Sequence, residues 1–463
     1  MGITSILNIA RSALSAQQSA LQVLANNIAN VNTVGYARQE AILKEADPTM
    51  TDGCFLGSGV TVERVMSNYD KYLELSMARQ STSMEEQKTY AQFFSRIESV
   101  LDEANTKLSS NITEFFNAWQ GLSADPLSRV ARSDVAMKAQ NLSNGIQSVY
   151  SELANLQIEA DGKVAQGVDE VNNILNSIAE LNKKIVAGTA SGTQGGSFTS
   201  ERLLAVKELS GKLDIQWFED AEGALTVMTG GGKSLVDKGN VYELSAERSG
   251  TGNFYSIYCN GNSLAPVDIT DAISGGTLKG LVDLRDNQMT GFMDNLDDLA
   301  KSLMTEVNSV HAAGYNSSGT TGIDFFKNVT SDYAANLDLS DEIKADVGYI
   351  AASSSSTNPS DNGIAFTISG LGSATVEIGG YDTTYVAYTS TIASTIGNLS
   401  KNATDLAEYH QNLMNIVESQ REAVSGVSID EEMSNLIRFQ NAYQAAARLV
   451  DTVNKLMDAL LGI

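Results

Sequence analysis

Apolar residues recur at alternating spacings of three and four near both ends of this 463-residue chain. Toward the N-terminus the stripe runs through Leu7, Ala10, Leu14, Gln17, Leu21, Leu24, Ile28 and Val31. Toward the C-terminus it runs through Leu436, Phe439, Tyr443, Ala446, Val450, Val453, Met457 and Leu460. A 3.5-residue apolar repeat makes a narrow seam that one helix buries against another. Taken singly, each stripe describes an ordinary amphipathic core helix. Taken together, with no Asp, Glu, Lys or Arg from Ser12 to Ala37, they predict ends that pair as a coiled coil and are buried between subunits.

The stretch between the ends divides by period. ANNIANVNTVGYARQ (Ala25 to Gln39) reads as a helix closing in an amide-rich turn. Asn30, Asn32 and Thr33 compete there for backbone hydrogen bonds, and Gly35 supplies the positive-φ stop. Gly53 to Val65 alternates and predicts a small strand or hairpin. Helices follow over Tyr69 to about Asn105 and over Asn111 to Leu122. Asp125 then caps and Pro126 opens a long helix that, continuous to Ala187, would span roughly 90 Å. Past the linker TASGTQGGS, the runs DIQWFED, ALTVMT, SLVDKGNVYELS and NFYSIYCNG alternate like strands. Helix returns at Thr277, and IAFTISGLGSATVEIGGYDTTYVAY predicts two or three short strands with glycine turns. A last internal seam runs from Ile392 to Val424 and includes His410.

The predicted fold is mainly α with an inserted β-domain, elongated and multidomain. Residues 1–45 with 428–463 form a terminal coiled-coil domain. Residues 46–200 with 276–427 form a long-helix middle domain, with a strand-rich elaboration around 328–385. Residues 201–275 form an outer β-domain.

Net charge of −25 with only 31 basic residues argues against a nucleic-acid partner. No stretch approaches about 18 continuous apolar residues, so no membrane insertion is expected. The N-terminus also lacks the pattern of a cleaved secretory signal. Cys54 and Cys259 are too few for a disulfide framework or zinc site, and His311 and His410 stand in unrelated surroundings. Gly230-Gly231-Gly232-Lys233-Ser234 follows a strand as a phosphate loop does, but Val227 replaces the earlier glycine and no helix follows. It reads as a hairpin turn. Asp430, Glu431 and Glu432 suit the start of a helix, where acid opposes the dipole. No catalytic constellation, cofactor or metal site is therefore expected. A hydrolase with its site in the β-domain, the reading from another class, has neither a His/Asp/Ser arrangement nor a carboxylate pair.

The run ending in GYARQ resembles the N-terminal motif shared by bacterial flagellar rod, hook and hook-associated proteins. The tail SIDEEMSNLIRFQNAYQAAARLVDTVNKLMDALLGI (Ser428 to Ile463) resembles their C-terminal motif. GYARQ and FQNAYQAAAR are most similar to the hook-associated proteins of the hook–filament junction, with a hook or distal rod protein the alternative. LKGLVDLRDNQMTGFMDNLDDLAKSLMTEVNSVHAAGYN followed by IDFF is similar to the same family. Val34 stands where many relatives have proline, and Asn454 and Lys455 where an acidic pair is common. The resemblance implies a structural protein of the flagellum, not an enzyme, exported through the flagellar channel. It further implies a homo-oligomeric ring with hook protein on one side and a second hook-associated protein on the other. A cytoplasmic export chaperone would bind the C-terminal region. The subunit-interface residues expected on this reading are Leu7, Leu14, Leu21, Leu24, Ile28, Asn30, Gly35, Leu436, Phe439, Tyr443, Val450, Val453, Met457 and Leu460.

Overall fold

The computed structural model describes residues 3–51, 54–101, 108–190, 196–248, 253–260 and 265–461. Helix α1, Ile3–Ala29, carries the N-terminal apolar stripe, with Arg11 its one charged residue. Beyond it the chain turns at Gly35, where φ is 79°. Strands β1 (Gln39–Glu45), β2 (Thr49–Thr51), β3 (Cys54–Leu56) and β4 (Val60–Ser67) form one hairpin system, with β1 antiparallel to β4 and β2 to β3. It begins at Gln39, well before the alternation expected from Gly53. Residue 53 itself lies outside the described residues. A Cβ on Gly59, whose φ is 103°, would stand 2.1 Å from Ser12 Oγ, so only glycine lets the hairpin sit this close to α1.

Helices α2 (Lys71–Leu101), α3 (Leu108–Ala124) and α4 (Arg129–Ala190) follow. At 62 residues α4 is about 93 Å long. It starts after Pro126 rather than at it. Asp125 to Ser128 forms a turn in which Ser128 N donates to Asp125 O at 3.1 Å. Ser128 Oγ then accepts from Ala131 N at 3.2 Å, so Ser128 is the cap. Helix α5 (Gly196–Lys212) leads into β5 (Ile215–Glu219), β6 (Leu225–Thr229), β7 (Ser234–Asp237) and β8 (Asn240–Val241), which form one sheet in that order. A second sheet holds β9 (Leu244–Arg248), β10 (Tyr255–Cys259) and β11 (Val267–Asp268), with β10 in the centre. The triple glycine is the β6–β7 turn, closed by Thr229 N on Lys233 O at 2.8 Å.

Helix α6 (Gly276–Asp283) passes through a π-helical turn, Leu284–Gln288, into α7 (Met289–Ala312). The π turn frees the Arg285 carbonyl, which Gln157 Nε2 caps at 2.7 Å, while the buried Arg285 guanidinium meets the buried Asp161 at 2.7 Å. Two short helices follow, Tyr333–Asn336 and Asp341–Ala345. Asp297 of α7 accepts from Ala334 N at 2.8 Å. Partial burial pushes its carboxyl above the usual carboxylate range.

Residues IAFTISGL, expected as strand, form helix α8 (Gly363–Leu371). Ile364, Ala365 and Ile368 are buried, and α8 packs on α3 and α7. A helical neighbour thus overrides the β-branched composition. A single two-stranded hairpin remains, β12 (Val376–Ile378) with β13 (Tyr381–Thr383). Helices α9 (Tyr385–Ser425) and α10 (Ile429–Leu461) complete the chain.

The contacts divide the chain into two units. One comprises Met1–Glu86, Ala165–Lys279 and Glu408–Ile463, and the other Gln87–Val164 and Gly280–Ala407. The second has an aromatic core of Phe115, Trp119, Phe325 and Phe326, all fully buried, with Phe325 and Phe326 edge-to-face at 4.9 Å between ring centres. His311 lies against Trp119 and Phe325. Its Nε2 accepts from Ala351 N at 2.8 Å and its Nδ1 contacts Ile323 O at 2.7 Å. This places the proton on Nδ1, a neutral ring. Burial holds its pKa down to about 4. His410, in the first unit, contacts Gln80 Oε1 on α2 through Nδ1 at 2.9 Å.

Candidate assembly interface at the paired termini

The N-terminal helix, without charge from Ser12 to its end, and the C-terminal helix pack against each other. Asn27, near the end of α1, touches Glu432, near the start of α10, so the two run antiparallel. The β1–β4 hairpin covers another side of α1.

Of the fourteen expected interface residues, only Leu24 and Val453 are buried in the single chain. Leu7, Leu14, Leu21, Ile28, Asn30, Gly35, Leu436, Phe439, Val450 and Met457 are half-buried, and Tyr443 is 38% exposed. The side chain of Leu460 lies outside those described. On α1 the fully covered stripe is instead Ala10, Ala16, Ala20, Leu24 and Asn27. Small side chains let helix axes approach closely, so the alanines take the inner line and push the leucines to its flank. Exposed apolar side chains on α10, among them Ile429, Met433, Ile437 and Leu456, flank the other helix.

Below the helix pair lies a polar hub that the apolar pattern did not reveal. Asn27 is wholly buried and uses its full hydrogen-bonding capacity. Its Nδ2 donates to Gln39 O at 2.9 Å and to Glu432 Oε2 at 3.0 Å. Its Oδ1 accepts from Gln39 N at 3.0 Å and from Tyr36 OH at 2.9 Å. Glu432 is also wholly buried, and its Oε1 accepts from Arg38 Nε at 2.8 Å. Burial pushes the Tyr36 phenol up to about 12, the Glu432 charge adding to the shift and the Asn26 hydrogen bond opposing it. Beside the hub, Arg421 donates from Nε to Glu74 Oε1 at 2.7 Å and from Nη2 to Gly35 O at 2.8 Å.

Glu432 is therefore not merely a dipole-facing acid of the first turn. The signal was present in the spacing. Asn27 follows Ala20 and Leu24 by steps of four and three, and Glu432 precedes Leu436 by four. Asn30, expected at the interface, closes the helix end within the chain, its Nδ2 on Asn26 O at 2.9 Å and its Oδ1 accepting from Thr33 Oγ1 at 3.1 Å. An open groove of about 750 Å³ runs between the turn at 31–38 and the α9–α10 connection, lined among others by Val34, Arg38, Glu422 and Val424. Among the described residues no group of three or more His, Cys, Asp or Glu side chains is placed to hold a metal, and no helix is long and apolar enough to cross a membrane.

Residues 94–326, just over half of the chain, match the family model of the flagellar hook-associated protein FlgK helical domain. The chain belongs to the flagellar hook-associated protein FlgK family. The paired ends match two further models, the flagella basal body rod protein over residues 7–36 and the flagellar basal body rod FlgEFG protein C-terminal over 418–463. Flagellar hook-associated protein 1 of Bacillus subtilis is 29% identical over 98% of this chain and 97% of its own length. Flagellar hook-associated protein 1 of Escherichia coli is 25% identical, with both chains covered in full. The fold also resembles the solved flagellar hook junction protein FlgK from Burkholderia pseudomallei, with a TM-score of 0.68 at 14% identity. That match covers 75% of this chain and 100% of the other. As the sequence predicted, the fold is mainly α with an inserted β region, and it is that of a flagellar axial component.

Proposed function

We propose that this chain is the structural protein joining the hook of the bacterial flagellum to its filament. It acts as a ring of identical copies and carries out no catalysis. The observation that carries this reading is the surface of the terminal pair. Within a family of flagellar hook-associated proteins, α1 buries its alanines inside the chain and leaves Leu7, Leu14, Leu21 and Ile28 half-exposed along one helix. A row of partly exposed leucines favours a partner, because each side chain gains on the order of 1 kcal/mol when its remaining surface is covered.

Neighbouring copies cover that row in the ring. Hook protein lies on one side and a second hook-associated protein on the other. The chain works outside the cell and reaches the hook tip through the flagellar export channel, held beforehand by a cytoplasmic chaperone on its C-terminal region. Residues 1–45 with 428–463 form the inner layer, the long helices the middle, and residues 201–275 the outward β-domain. A strain lacking the gene is expected to build complete hooks and to shed unpolymerised flagellin into the medium. Hooks that carry normal filaments in that strain would overturn the junction role.

A further inference from the structure

Among the described residues, α1 buries one polar side chain, Asn27, and α10 buries one, Glu432. These two are hydrogen-bonded to each other at 3.0 Å. We infer that the Asn27–Glu432 contact is a pairing-specificity device, the feature by which α1 selects α10 of its own chain over other apolar helices.

Helices with striped apolar faces choose partners mainly through charges at the seam edge or a polar group within it. α1 has little of the first means, since its one charge, Arg11, lies sixteen residues before Asn27. Its alanine and leucine stripe fits many helices, including the flanking apolar faces of α10 from another copy and α1 of another copy. Asn27 breaks that degeneracy. Three of its four hydrogen bonds go to the turn and strand just after α1, at Tyr36 and Gln39. The fourth, from Nδ2, points across the helix interface, where Glu432 accepts it. A helix without an acceptor at that level leaves a wholly buried N–H unpaired, which costs more than the bond itself is worth. The acceptor is also held in place from behind, because Arg38 Nε donates to the other carboxylate oxygen at 2.8 Å. Arg38 keeps Glu431 at 3.2 Å as a second partner, so removing Glu432 does not strand it. The inference concerns the choice of partner within one chain and stands whether or not the junction reading holds.

The test compares Glu432→Gln, whose one amide oxygen can still accept from Asn27 while Arg38 turns to Glu431, with Glu432→Leu, which offers no acceptor. Ala16 lies eleven residues before Asn27 and Tyr443 eleven after Glu432, so the antiparallel run brings them to one level. The reporter is A16C/Y443C in the full chain with Cys54→Ser and Cys259→Ser, oxidised as purified protein and in flagella sheared from cells. Denaturing gels then give the ratio of intrachain to interchain disulfide, with helicity followed by circular dichroism. The parent and E432Q are expected to give at least about tenfold more intrachain than interchain product, the selectivity of one buried hydrogen bond of about 1.4 kcal/mol. E432L is expected to bring the ratio near one while helicity is kept. Equal ratios in all three proteins would overturn the inference. Loss of both cross-links in E432L would overturn it too, since Glu432 would then serve stability and not choice.

Discussion

The terminal pair and the aromatic core of the second unit bury their residues in opposite ways. Around Trp119 the large side chains go fully inside, with Phe115, Phe325 and Phe326 in contact and His311 neutral among them. Along α1 the small side chains go inside and the large ones stay at the flank. The first arrangement satisfies itself within one chain. The second leaves apolar side chains of α10, Ile429, Met433, Ile437 and Leu456 among them, in water, and it joins its helices through a polar hub instead of volume.

The sharpest way to break that contrast is to hollow the core. Trp119→Ala is expected to cost about 3–5 kcal/mol, read as a lower denaturation midpoint of the full chain. If the core is as self-contained as its burial implies, terminal cross-linking stays as in the parent. A loss of about 1 kcal/mol or less would mean the aromatic cluster is not a supporting core.

A slightly smaller effect follows from His311. Its pKa in the folded chain is about 4, below its ordinary value of 6.5. Between those values the unfolded chain binds more protons, so stability falls as pH drops from about 6.5 and levels off near 4. The full loss is on the order of 3 kcal/mol. Denaturant melts across this range, compared with His311→Gln, isolate the contribution, because the variant loses that part of the slope. Identical slopes would show that the ring is not held neutral.

The smallest effect on stability is expected at the flank of α1. Leu21→Ala removes a half-buried side chain and should shift the melt of the isolated chain by about 1 kcal/mol or less. The same change should weaken retention of the protein at the hook tip, scored as flagellin shed into the medium. Normal retention with Leu21→Ala and Leu14→Ala combined would show that the leucine row is not an assembly surface.

Much of this protein was legible in its sequence, because helix periodicity, capping residues and glycine turns act over a few neighbours. The terminal helices, α4, the strands of the β-domain and the turn at Gly35 all follow from such local signals, as do the quoted motifs that carry the family resemblance. Local signals failed where distant residues decided. IAFTISGL has the composition of a strand, but only packing on α3 and α7 made it a helix. A heptad pattern marks a stripe without saying which edge of it turns inward, so the covered line took the alanines with Leu24 and left Leu7, Leu14 and Leu21 at its flank. Above all, Asn27 and Glu432 stand 405 positions apart. A polar residue on an apolar stripe is tolerated only when its partner is supplied, and no local pattern announces a partner at that distance. Sequence determined that the two ends would be helices made to be buried, because periodicity is a property of each segment alone. Tertiary structure alone decided how they meet, because the buried amide is satisfied only where the carboxylate arrives.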